Sequence, residues 1–454
     1  MSNSVISRSK CWYGDETVNY DFPDNWDIKV FTPGKAKVLT DDEISQRILY
    51  PIGSQPLKSI LDSKKKVLII SDDISRPTRT DIIIPILLKI LTDCGIEKEY
   101  ISILISTGTH DRMTENEKQL KFGKDIVKNI RIIDHDFLGK NKYIGDSRQS
   151  TPIYVNIHLL ENDLIIGVGG IYPHNQVGFG GGAKLILGVC GYKTIKHLHS
   201  TRKGASTGGD VSNEFRQDLL DIARMSKMDF IVNTLVNTNR DITNVFAGDV
   251  NECYETGIRE AKKMYAVPSP KELEFDLVIA DVYPADSSIA FTRKGWWPVH
   301  HCTNGTLRLV ISASPKGLGN HPLFPIVPNR LQSLKNLSYE WKTSNLIDFF
   351  NSIVIQKTTK VAKKITNKLK AKIKNNPPSG IKSNAGTIHL SNSKITFLHS
   401  KEVNFKGQKT PGYLELANDF DDCINRIRLI TNNRPLRVGF YQACGLSFPE
   451  NNKL

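Results

Sequence analysis

Short, continuous apolar runs alternate with helix-like segments along this chain, and that alternation constrains the fold more than any other feature. Residues 66–71 (KVLIIS), 101–106 (ISILIS), 129–133 (NIRII) and 164–168 (LIIGV) are such runs. A run without in–out alternation belongs to a strand covered on both faces. Helical patterns at 81–91 and 115–121 separate the first three. Strands and helices in this order imply a parallel sheet, which binds ligands beyond the carboxyl ends of its strands. A long helical segment, 251–265, stops at Val267-Pro268-Ser269-Pro270, because proline cannot continue a helix. Strand candidates then resume at 275–281, 307–312, 386–390, 395–399 and 437–441. The expectation is an α/β protein of two α/β domains, 1–270 and 271–454, with a boundary near 266–273 and an active-site cleft between them. A length of 454 residues also exceeds what one ordinary core serves.

Composition excludes several classes. No apolar run reaches the ~18 residues of a membrane helix, and the polar first ten residues lack the core of a signal peptide. The seven cysteines are scattered and contain no C-x-x-C pair, which argues for reduced thiols in the cytoplasm and against a zinc or disulfide framework. The net charge of +14 is largely local. Residues 356–384 hold nine lysines and no acid, and without them the charge falls to about +5. Val361, Ile365, Leu369 and Ile373 form a narrow apolar stripe there, so a lysine-rich helical insertion is expected. It reads as a solvated surface or a docking face for an acidic partner. The absence of interleaved aromatics speaks against nucleic-acid bases stacking on it.

Five constellations bear on chemistry. Residues 71–80 (SDDISRPTRT) follow the first strand and place Asp73, Arg76 and Arg79 in a strand-to-helix turn, with Thr80 as a candidate helix cap. Such a turn is an anion site, or simply a proline-fixed turn. Residues 106–111 (STGTHD) put His110 at the end of another strand, in a structural or a catalytic role. Residues 169–184 (GGIYPHNQVGFGGGAK) join His174 to the glycines 178, 180, 181 and 182 and to Lys184. Glycine at this density is expected where backbone approaches a ligand closely. A phosphate-binding P-loop fails, since Ala183 and Leu185 occupy the positions its glycine and its magnesium-binding hydroxyl require. His197 and His199 stand two apart on a helix and so cannot chelate as a pair. Residues 290–297 (AFTRKGWW) combine two cations with two tryptophans, either as a core helix or as an anion clamp across a cleft.

Taken in order, these segments resemble the nickel-pincer lactate racemase family, to about residue 330. The resemblance rests on Asp73–Pro77, Gly108–His110, His135-Asp136, Pro173-His174, Gly181–Lys184 and His199. It implies nickel and pyridinium-3,5-bisthiocarboxylic acid mononucleotide as cofactor, with the metal in a square-planar set that one histidine completes. It further implies that Lys184 joins the cofactor, that Asp73, Arg76, Gly180, Gly181 and Gly182 help bind it, and that His199 is the nickel ligand. A one-residue deletion at Leu187-Gly188 relative to the family favours His199 over His197. His110 and His174 become the acid/base pair, while Arg76, Lys294, Phe291 and Trp297 contact the substrate.

The implied activity is racemisation or epimerisation of a 2-hydroxy acid. Hydride leaves C2 for the cofactor and returns to the other face of a 2-keto acid, with a histidine on each side handling the hydroxyl proton. The implied partners are the small-molecule substrate and cofactor-maturation proteins. Two departures bear on the substrate: Phe291 stands where the family has glutamine, and Lys316 where it has an acid. The first favours apolar or differently shaped substrates, the second, with Arg293, a second anionic group, and the expectation is a 2-hydroxy acid larger than lactate. Two alternatives stay open, another redox conversion with the same cofactor and a non-enzymatic nucleotide- or partner-binding protein.

Overall fold

Two six-stranded sheets organise the chain. The computed structural model describes residues 3–61, 66–202, 204–205, 208–319, 396–403, 405 and 414–450. All of these fall within one compact unit formed by Met1–Pro328 and Asn392–Leu454. The lysine-rich segment 356–384 and the strand candidate 386–390 lie outside the described residues, as does Ile395.

The first sheet runs, in spatial order, Ile242–Asp249, Met228–Val236, Leu164–Gly170, Val67–Asp72, Ile101–Ser106 and Arg131–Asp134. Its pairs are parallel except at the edge, where Ile242–Asp249 runs antiparallel to Met228–Val236. Val67–Asp72 and Leu164–Gly170 are buried at every position, as their unbroken apolar runs require. From Val67–Asp72 the chain builds outward through two strands, then returns to add Leu164–Gly170 on the other side. The order of strands therefore reverses between these two neighbours, which opens a crevice beyond their carboxyl ends.

The second sheet is wholly parallel, in the order Leu414–Ala417, Thr396–His399, Leu307–Ile311, Leu277–Asp281, Arg437–Tyr441 and Asp27–Phe31. Its order reverses between Leu277–Asp281 and Arg437–Tyr441. The last strand corrects the expected N-terminal domain of residues 1–270, because Asp27–Phe31 pairs with Arg437–Tyr441. Val5, Tyr20, Phe22 and Trp26 likewise pack into the core beneath this sheet. The sequence of Asp27–Phe31 (DIKVF) is short and largely exposed, so it has no apolar run to announce a strand.

The turn between the N-terminal strands Ser4–Ser9 and Glu16–Asp21 ties the two sheets together. Asp286 accepts from Lys10 N (2.7 Å) and Cys11 N (3.2 Å) on the second-sheet side. Trp12 Nε1 donates to Arg76 O (2.8 Å) on the first-sheet side. Arg240 pairs with Asp15 at 2.7 Å, and Tyr283 Oη donates to the same carboxylate at 2.9 Å. No described helix is long and apolar enough to cross a membrane.

Candidate active site

The turn after Val67–Asp72 is held from below by a lysine that looks, in sequence, like a surface charge. Lys121 is fully buried; its Nζ donates to Arg76 O (3.1 Å) and Thr78 O (3.0 Å) and lies 2.9 Å from Asp72 Oδ1. The same ammonium sits 4.8 Å from the Trp12 ring centroid. Thr78 Oγ1 donates to Asp72 Oδ2 at 2.5 Å. Thr80 is not the helix cap expected of it: it is the first helical residue, and its hydroxyl donates to Lys121 O at 2.6 Å. Lys121 thus replaces solvent for two carbonyls and a carboxylate, which fixes the backbone that presents Asp73 and Arg76.

Above this turn lies a cleft, open to solvent, at the reversal of the first sheet. It brings together Arg76, His110, His174, Gly181, Lys184 and His199, from four separate segments of sequence. Tyr172, which no motif singled out, also lines it. Asp73 lies just behind, with Oδ2 2.6 Å from His110 Nδ1. Burial works to raise the Asp73 carboxyl, but His110, Arg76 and Ser75 outweigh it and hold it well below the usual carboxylate range. An ionised Asp73 makes His110 Nδ1 the donor and puts the lone pair of the neutral ring on Nε2. His174 has the other tautomer preference, because Gln176 N donates to its Nδ1 at 3.2 Å. Two imidazoles, set by different partners, therefore share one cleft.

Arg76 is buried, and its Nη1 has no hydrogen-bond partner among the described residues. Burial opposes its charge, yet Tyr172, Asp73 and Asp72 together raise its pKa. Lys184 opens the short helix Lys184–Leu187. Burial, reinforced by Arg76, pulls its pKa down to about 7, against the opposing pull of Asp73 and Asp72. A half-neutral amine at the cleft wall is a nucleophile at ordinary pH. His199, on the helix Tyr192–Thr201, directs Nδ1 to Ile195 O at 2.7 Å. Burial lowers its pKa to about 4, so the ring is neutral and its lone pair sits on Nε2. His197 is not among the residues that line the cleft. His135 is structural: Nε2 meets Cys190 O at 2.9 Å and Nδ1 meets Asn156 Nδ2 at 3.0 Å.

The glycine loop works differently from the expectation. Of Gly180, Gly181 and Gly182, only Gly181 lines the cleft. A Cβ on Gly180 would meet the Tyr172 ring at 2.7 Å, and one on Gly182 would meet the Tyr254 ring at 2.6 Å. Gly181 and Gly182 also adopt φ of +75° and +52°. Tyr254 Oη further donates to Phe179 O and Gly180 O at 2.8 Å, and Gly182 N donates to Asn233 Oδ1 at 2.7 Å. Close protein packing, more than ligand approach, demands these glycines.

No described second-sheet residue lines the cleft itself, but one packs against His110. Phe291 packs edge-on against His110, with ring centroids 4.8 Å apart. Lys294 Nζ lies 4.7 Å from the Phe291 centroid and is buried without a hydrogen-bond partner among the described residues. Trp297 corrects the expected substrate contacts. It is buried in the second-sheet core against Tyr441, and its indole donates to Ser447 Oγ at 3.1 Å. The core reading of the tryptophans therefore holds for Trp297. Lys316, read from sequence as drawing an additional anion, is paired with Glu117 Oε1 at 2.7 Å.

Comparison with known proteins joins this geometry to a lineage. Residues 13–208 match the family model described as the lactate racemase N-terminal domain. The chain is 32% identical over 268 residues to a lactate racemase of Lactiplantibacillus plantarum, a match that spans 57% of this chain and 62% of that one. It is 28% identical over 324 residues to a lactate racemase of Thermoanaerobacterium thermosaccharolyticum, spanning 69% and 76% of the two chains. The apoprotein structure of a lactate racemase from the latter organism superposes with a TM-score of 0.67 at 21% identity, covering 98% of this chain and all of that one. That likeness establishes a shared fold.

Proposed function

The chain belongs to the lactate racemase family through residues 13–208, and from that premise we propose that it is an isomerase that inverts C2 of a 2-hydroxy acid. The observation that carries the proposal is the pair of imidazoles in one cleft, His110 donating from Nδ1 to Asp73 and His174 accepting at Nδ1 from Gln176 N. Inversion at a carbinol carbon needs a base for the hydroxyl proton on one face and an acid on the other. His110 Nε2 suits the first role, since ionised Asp73 stabilises the imidazolium that forms. His174 suits the second. Arg76 and Lys294 each present a buried, unpartnered nitrogen, the environment in which a carboxylate is bound through charge-assisted hydrogen bonds.

The residues present fit a nickel-pincer nucleotide. Lys184 offers an amine with a pKa of about 7 to an acyl group, and neutral His199 offers one imidazole donor. Among the described residues no three metal-ligating side chains converge, so the remaining donors to nickel would belong to the nucleotide itself. When bound, this group supplies a hydride acceptor beside the substrate, which spares the enzyme from removing a weakly acidic C2 proton. The protein's part is to orient the carboxylate, move the hydroxyl proton and limit water at C2. In this reading the first sheet holds the cofactor and the second presents Phe291 and Lys294 to the substrate, and proteins that mature and deliver the cofactor are partners. All seven cysteines are free thiols, which supports a reducing compartment such as the cytoplasm.

Isotope retention tests the chemistry. The cofactor-loaded enzyme, given a C2-deuterated 2-hydroxy acid in ordinary water, should yield the inverted product with deuterium kept at C2. Loss of the label to solvent would point to proton abstraction and overturn the hydride mechanism.

A further inference from the structure

Tyr172 lines the main cleft together with Arg76, and its ring is wedged between two glycines. A Cβ on Gly180 would lie 2.7 Å from one edge of the ring, at Cε2, and a Cβ on Gly170 would lie 3.1 Å from the other, at Cδ1 and Cε1. Gly180 N donates to Tyr172 O at 2.8 Å, which fixes the backbone as well. The residue is 6% exposed. Its hydroxyl, which has no hydrogen-bond partner among the described residues, stays open to the cleft. Burial holds the phenol's pKa far above neutrality, so Oη keeps its proton, and Arg76 is the charge that acts on it most strongly. The guanidinium is equally ready for a ligand. Of its nitrogens only Nη1 is sealed in protein, while Nε and Nη2 also lack partners among the described residues.

We infer that Tyr172 is a further substrate-binding residue, whose Oη and the Arg76 guanidinium grip one substrate carboxylate, an oxygen apiece. The inference rests on the proposed 2-hydroxy-acid chemistry for the identity of the anion. A protonated phenol has one hydrogen bond to donate, and a carboxylate has two oxygens, enough for both donors at once. A neutral alcohol or carbonyl oxygen would satisfy the phenol but leave the charge of Arg76 uncompensated. The glycine wedge holds the ring before substrate arrives, so little ordering cost falls on binding. That use also gives Gly170 and Gly180 a part in the site without either touching the ligand.

Binding of 2-hydroxyisobutyrate to the cofactor-loaded enzyme is the test, because this acid has the carboxylate and the hydroxyl but no C2 hydrogen to transfer. Tyr172→Phe removes the hydroxyl and leaves the ring in its wedge. By calorimetry the variant should bind the acid roughly 10- to 100-fold more weakly than the parent, the loss expected for a hydrogen bond to a charged group. Its nickel content and Tm should match the parent's. In racemisation of lactate and 2-hydroxyhexanoate, KM should rise by a similar factor with kcat within about threefold, the mark of a contact made equally to ground and transition states. Equal affinity for the acid in the two proteins, or no binding by the parent, overturns the inference. A loss of nickel or a lowered Tm in the variant assigns the hydroxyl to the cofactor or to the fold and overturns it too. If no 2-hydroxy acid is inverted, the proposed chemistry fails instead, and the calorimetry still decides whether Tyr172 holds the carboxylate.

Discussion

His110 Nδ1 and Asp73 Oδ2 lie 2.6 Å apart, joining the turns that follow two neighbouring strands of the first sheet. In the proposed mechanism the carboxylate would hold the ring through Nδ1. Asp73→Asn keeps the shape but removes the charge, and the amide can present its nitrogen to Nδ1 and impose the wrong tautomer. The expected outcome is a fall in kcat of about 10²–10⁴ with KM changed little, by the logic of aspartate-oriented histidines. Steady-state racemisation rates across pH measure it. A variant within threefold of the parent would separate His110 from catalysis.

Lys184 should react as an unusually acidic lysine. Burial and Arg76 bring its pKa from 10.5 to about 7, so the free amine is the major form above neutrality. Labelling of the cofactor-free protein with a limiting amine-selective acylating agent, followed by peptide mass spectrometry, gives its rate against pH. The rate at Lys184 should rise through pH 6–8 and level off above. An ordinary lysine would still be rising tenfold per unit at pH 9.

His199 and His197 make a matched pair for testing the metal. Only His199 lines the cleft, and its Nδ1 donation to Ile195 O orients the ring. His199→Ala should remove most bound nickel from protein purified with its cofactor, while His197→Ala retains it, both with the parent's circular dichroism. Metal content by mass spectrometry reads this directly. The opposite pattern would exchange the two assignments.

Much of this site is legible in the sequence because strand ends and glycine turns are local. Asp73, Arg76, His110, His174 and Lys184 each follow an apolar run or a glycine cluster, and the parallel sheet gathers such positions at one edge. What escapes is set by packing between distant segments. Lys121 reads as one more charge on a polar helix until the Asp72–Thr78 turn is folded onto it. Trp297 has the composition of a ligand contact and the environment of a core residue. Asp27–Phe31 joins its sheet beside Arg437–Tyr441, about 400 residues later in the chain, so no periodicity can reveal the pairing.

The second sheet contains a pH-sensitive joint at Asp281, the last residue of Leu277–Asp281. Its carboxyl is buried, accepts from Ser7 Oγ and receives Tyr283 N at 3.1 Å. Burial, with Asp286 nearby, raises its pKa from 3.8 to about 7, although the two hydrogen bonds pull the other way. The sign follows from proton binding. Between about pH 4 and 7 the folded state holds a proton that the unfolded state has released, so this group's contribution to stability falls as pH rises and stays lost above neutrality. Asp281→Asn is neutral at every pH and keeps both contacts, its carbonyl accepting from Tyr283 N and its amide donating to Ser7 Oγ. The variant should therefore match the parent near pH 4 and exceed it at pH 8 by about 1–3 kcal/mol, short of the ~4 kcal/mol that a three-unit shift represents. Urea unfolding at the two pH values measures the difference. A variant less stable than the parent at pH 8 would show that Asp281 is needed as an anion, and would reverse the sign argued here.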